Sequence, residues 1–81
     1  MCGVLIDNVI SKAYIQNFSR MGALITTDYL LNEKKYISIM YQNEKNEMIR
    51  MLTYVVHAFK KNKKYLIGLQ FVGIEERRSM N

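Results

Sequence analysis

Residues 65 to 72 read YLIGLQFV. Tyr65, Ile67, Leu69 and Phe71 fall on one face of an extended chain, and Leu66, Gly68, Gln70 and Val72 on the other. A period of two in aliphatic and aromatic residues marks a strand, because successive side chains leave a pleated backbone on opposite sides. The same alternation recurs upstream in KYISIMY (35–41), which sets Ile37, Ile39 and Tyr41 against Tyr36, Ser38 and Met40. EMIRMLTYVVHAF (47–59) is longer and less regular. One face carries Ile49, Met51, Thr53, Val55, His57 and Phe59, and the other Met48, Arg50, Leu52, Tyr54, Val56 and Ala58. Both faces are largely apolar, which predicts a bulge or bend near Thr53. Met48, Met51 and Leu52 also fit helical spacing, so a helix over the first half competes, but the TYVV that follows favours a strand.

Polar connections separate these runs. NEKN (43–46) and KKNKK (60–64) are short, charged and contain Asn, and both predict hairpin turns. SKAYIQNF (11–18) and GALITT (22–27) predict two earlier strands, and VLI (4–6) starts or leads into the first. DYLLNEKK (28–35) is a connection with room for one helical turn. EERRSMN (75–81) predicts a short C-terminal helical tail, with Glu75 or Glu76 reaching Arg78, too short to be a good helix alone. Five or six short strands joined by hairpins predict an all-β fold, a small closed or half-open barrel. Closure also removes the exposed strand edges.

The chain has 81 residues, 49% of them hydrophobic, which predicts a single globular domain over 1–81. No run of about 18 apolar residues occurs, so no membrane span is expected. MCGVLID (1–7) is too short and too uncharged for a signal peptide, and the expected compartment is the cytoplasm. Cys2 is the single cysteine, near a terminus where fraying is common, so neither an internal disulfide nor a Cys-based metal site is expected. His57, the single histidine, lies in an apolar run and reads as a packed side chain. No carboxylate dyad, nucleophile elbow, P-loop or metal cluster is visible, so neither catalysis nor a cofactor is expected. The formal net charge of +5 favours anionic partners without choosing among nucleotide, nucleic acid, acidic lipid and acidic protein.

NFSRMG (17–22) raises the sharpest question. Asn17 and Ser19 are turn formers whose side chains cap nearby amides, and Gly22 allows a positive φ or a close backbone approach. That reading needs no ligand. The alternative is an anion-binding loop, with Arg20 contacting a phosphate from inside it.

The segment NFSRMGALI resembles the Asp/Asn-x-Ser-x-x-Gly segment of PilZ domains, with Asn17, Ser19 and Gly22 at the matching positions. YLIGLQFVGIEERR resembles the closing strand of that family, with Gly68 and Phe71 in place. The resemblance covers roughly residues 11–76 and implies a six-stranded PilZ-like barrel. It also implies cyclic di-GMP as a ligand, with Asn17, Ser19 and Gly22 as ligand-binding residues, to which Arg20 inside the loop would add a phosphate contact. Members of the family carry an Arg-x-x-x-Arg motif just before the first barrel strand. Here no arginine precedes Arg20, and Lys12 is the one basic residue upstream of it. Two guanidinium groups fork onto phosphates and stack on guanine, which a lone lysine does not. Each such contact is worth about 1.5–3 kcal/mol, so their loss weakens binding by orders of magnitude. Members without the arginines resemble protein-interaction modules, some linked to type IV pili and motility. The resemblance therefore implies a binding or adaptor module with a protein partner.

Two further features remain. KKNKK places four lysines within five residues, either a soluble hairpin tip or an electrostatic contact. Six tyrosines with the positive charge give the alternative of a small basic barrel that stacks nucleic-acid bases. Tyr41 and Tyr65 fall on apolar faces and predict core or rim packing instead. The two-sided apolar character of 47–59 also motivates a self-associating homo-oligomer.

Overall fold

The computed structural model describes residues 2–6 and 9–79. Six strands follow one another: β1 (Cys2–Ile6), β2 (Val9–Phe18), β3 (Gly22–Thr27), β4 (Tyr36–Gln42), β5 (Glu47–Lys61) and β6 (Lys64–Ser79). They close into a barrel in the order β1-β2-β3-β6-β5-β4, every neighbouring pair antiparallel. The last seam is short: β1 meets β4 through Gly3↔Met40, Val4↔Ile39 and Leu5↔Ser38. The all-β barrel expected from the alternation is therefore present, with six strands rather than five.

Alternation places the core. Ile25, Ile39, Ile49, Ile67, Val4 and Val55 are fully buried. Complete burial of an aliphatic side chain of this size stabilises by about 1.5–3 kcal/mol. Thr53 is buried among them, and its hydroxyl donates to the Ile37 carbonyl at 2.8 Å, so the polar atom is satisfied. Cys2 does not fray: it is buried in the same core, where the loss of hydration pushes its thiol pKa up.

Both predicted hairpins are turns, and each uses an asparagine in the left-handed region, Asn46 at φ 59° and Asn62 at φ 58°. Asn is among the few side chains that tolerate this conformation. The 28–35 connection contains no helical turn. It runs as bends and a turn with Lys34 at φ 62°. Its end is held by Lys34 N–H to the Val55 carbonyl at 2.8 Å and Val55 N–H to the Lys35 carbonyl at 2.9 Å. Leu31 is buried from this loop, and Leu30 is exposed.

The C-terminal helical tail expected from EERRSMN is not formed. Residues up to Ser79 continue β6, pairing Glu76, Arg77, Arg78 and Ser79 with Arg50, Ile49, Met48 and Glu47. The physical reason lies in β5. Its 15 residues offer a long edge, and pairing along it gives ladder hydrogen bonds to a segment too short to hold a helix by itself. The strand period then decides the ion pairs. Glu76 and Arg78, two apart, meet at 3.0 Å, while Glu75 turns to Arg50 at 3.6 Å and also accepts from the Ser38 hydroxyl. Among the described residues there is no helix, and so none long and apolar enough to cross a membrane.

Candidate functional site

Two β-bulges prepare one stretch of the outer wall. In β2 the pairing runs Ile15↔Ile25 and then Asn17↔Leu24, leaving Gln16 as an extra residue. In β5 it runs Val55↔Leu69 and then His57↔Gly68, leaving Val56 extra. An inserted residue reverses the inside-outside sense of everything after it. Simple alternation places Asn17 on the inner face with Ile15, and His57 on the inner face with Val55. The bulges turn both outward, and Phe18 and Ala58 take the inner positions opposite Ala23 and Ile67. The packed histidine expected from the sequence is exposed instead.

The result is a row across four adjacent strands, Asn17, Leu24, Gly68 and His57, in lateral register. Gly68 has no side chain, and the imidazole lies over its backbone: a Cβ there would meet His57 Cε1 at 2.2 Å. The ring also stacks on Phe59, with centroids 5.7 Å apart and an interplanar angle of 20°.

A shallow cleft of about 500 Å³ opens over this row. Its rim is the Ser19–Met21 turn, and Met21, Leu24 and Val56 supply much of its lining beside Asn17, His57 and Gln70. The turn is built by the polar residues of NFSRMG. Asn17 Oδ1 accepts the Phe18 N–H at 2.9 Å, and Ser19 Oγ accepts the Met21 N–H at 3.3 Å. The Ser19 hydroxyl and N–H both face the Gly22 carbonyl, at 3.3 and 2.9 Å. Gly22 does not supply a positive φ. It supplies the close approach: a Cβ there would lie 1.9 Å from the Leu69 carbonyl oxygen. Asn17, Ser19 and Gly22 therefore stand together at the cleft, whereas Arg20 is exposed and is not among the residues lining it. No lysine or arginine lines the cleft.

The chain matches the family model of the PilZ domain over residues 1–80. It belongs to the PilZ domain family. No curated protein and no solved structure matches the chain. The match spans all six strands, so the PilZ signature residues and the barrel agree on one assignment. PilZ domains are binding and adaptor modules rather than enzymes.

The tyrosines do not form one continuous surface, although Tyr36 meets Tyr54 edge-on at 5.1 Å across β4 and β5. Tyr41 and Tyr65 are half-buried against the core, as their apolar faces predict. Tyr14 and Tyr36 are exposed, but on β2 and β4, which β1 separates. Sequence reading missed His57 and Gln70 as cleft residues. One signal was available for His57: a glycine inside an otherwise regular strand, at position 68, marks a close neighbour.

Proposed function

We propose that this PilZ domain is an adaptor module in cyclic di-GMP-linked signalling, in motility or pilus regulation, that engages a protein partner through the outer-wall cleft and does not hold the dinucleotide tightly. One observation carries this reading. The cleft keeps Asn17, Ser19 and Gly22 at its rim, yet none of its lining residues is a lysine or arginine and much of its surface is apolar. A dianionic ligand needs charge-assisted donors to replace its hydration. An apolar cleft with a few polar groups suits a protein surface instead.

Titration calorimetry with cyclic di-GMP tests the reading. Heat is expected to be absent at micromolar ligand and to appear when a segment bearing Arg-x-x-x-Arg is fused ahead of Cys2. Micromolar binding by the chain itself overturns the adaptor reading, because it shows that Asn17, Ser19 and their neighbours suffice.

A further inference from the structure

The positive charge of the chain does not surround the cleft. It gathers at one end of the barrel. The pairs Thr27↔Tyr65 and Lys61↔Lys64 bring two connections to that end, the 28–35 loop and the β5–β6 tip. The tip carries Lys60, Lys61, Lys63 and Lys64, and the loop carries Lys34 and Lys35, all exposed. Lys12 joins them across a small cleft that it shares with Tyr14, Asp28 and Lys64. Against seven lysines the described residues of this end set two carboxylates, Asp28 and Glu33, and Asp28 is already paired with Lys64. The glutamates at 44, 47, 75 and 76 lie toward the opposite end, around the β4–β5 turn and the last turn of β6 pairing.

Large apolar side chains stand among these lysines. Leu30 is 56% exposed at the centre of the loop, and Phe59 is 48% exposed next to the tip. We propose that this basic end docks on the surface of an anionic lipid bilayer, with the lysines at the headgroups and Leu30 and Phe59 entering the interface. Three features favour a bilayer over other polyanions. Every cation at this end is a lysine, a compact point charge that suits a diffuse negative potential, whereas bidentate phosphate reading uses arginine. Leu30 and Phe59 have no side-chain hydrogen-bonding group, so water is the poorer neighbour for them and acyl boundary the better one. The β5–β6 tip also reaches past β4, whose pairing with β5 starts at Tyr36↔Tyr54, so Val56–Lys61 has no β4 strand residue beside it.

The test is flotation of the full chain with phosphatidylcholine vesicles, with and without phosphatidylglycerol. The chain is expected to float with the anionic vesicles only and to be released as salt shortens the screening length. Each surface lysine contributes about fivefold to such partitioning, so the triple change K60Q/K61Q/K63Q is expected to cost about a hundredfold. These three side chains are exposed and take no part in the core, and circular dichroism of the variant checks the barrel. Leu30→Ser is expected to leave the salt dependence in place while lowering binding several-fold. Failure to float with anionic vesicles overturns the proposal. So does equal binding to neutral vesicles, or tighter binding to an oligonucleotide than to vesicles at equal phosphate, which reassigns the basic end to nucleic acid.

Discussion

The His57 imidazole rests on the backbone of Gly68, and a Cβ at 68 would come within 2.2 Å of Cε1, 2.6 Å of Nε2 and 2.7 Å of Nδ1. Neither residue has this relationship by simple alternation. The Val56 bulge turns His57 outward, and the glycine leaves the space into which the ring settles. Gly68→Ala therefore acts on the cleft before it acts on the fold. The ring belongs to an exposed side chain that turns away about χ1, so the cost to stability is expected to be within about 1 kcal/mol. The His57 ring resonances, which report the stack on Phe59, are expected to shift strongly in NMR spectra of G68A. Unchanged ring shifts count against the contact.

Gly22 is the opposite case. The atoms that an added Cβ would meet are backbone, the Leu69 carbonyl oxygen at 1.9 Å, the Leu69 carbonyl carbon at 3.0 Å and Gln70 Cα at 3.2 Å. Nothing there turns aside, so β3 and β6 must separate where Gly22 pairs with Gln70. Overpacking of this kind costs about 3 kcal/mol. For a domain of this size that lowers Tm by roughly 12–24 °C. Thermal unfolding of G22A beside G68A checks the contrast, and equal Tm values for the two would refute it.

These two glycines show what was legible in the chain and what was not. The strands at 36–42 and at 64 onward follow from alternation, and the turns from Asn46 and Asn62, because these are local properties. The irregularity expected near Thr53 is present as a register shift between Leu52 and Thr53, but the two bulges beside the cleft are not local. Gln16 and Val56 become extra residues only because of what lies opposite them on β3 and β6. Simple alternation therefore puts Asn17 and His57 in the core, when both face the cleft. The tail fails for a related reason. EERR is compatible with a helical turn taken alone, and only the length of β5 makes it a strand. The resemblance of NFSRMG to a binding loop located the cleft rim, but composition could not say that the lysines would gather at the end around Lys61 and Lys64 instead.

Phe18, at the end of β2, also lines the cleft. The β2 bulge turns it inward, where its ring meets Tyr41 edge-on at 5.0 Å and tilts against Phe71 at 5.2 Å. Because Phe18 remains 44% exposed, truncation to Ala is expected to cost less than a full core phenylalanine, about 2 kcal/mol. Phe18 and Phe71 should also be coupled. A double-mutant cycle in urea is expected to give an interaction energy of about 0.5–1.5 kcal/mol between them. Additive single changes would show that the rings share a neighbourhood without contact of consequence.

Alkaline pH should loosen the barrel through groups that it buries. Burial pushes the Cys2 thiol above its ordinary 9.0, and it pushes the Tyr29 and Tyr41 phenols above their ordinary 10.0. Ser11 opposes the shift at Tyr29, and Arg77 opposes it at Tyr41, but burial is the larger cause in each. All three groups are neutral when protonated, and the unfolded chain ionises them more readily than the folded one. The stability they contribute is therefore complete below the unfolded values and is lost as pH rises through the folded ones. Lys64, raised by its bond to Asp28, works in the same direction from the surface. The urea midpoint is expected to hold steady from neutrality to near pH 9.0 and to fall above it, with a shallower fall in a Cys2→Ala/Tyr29→Phe variant. In the folded chain at pH 8, Cys2 should also react with a thiol reagent far more slowly than in urea, because the thiolate is the reactive form. A midpoint that rises between pH 9.0 and 11, or a Cys2 labelled as fast when folded as when unfolded, would mean that these side chains are open to water.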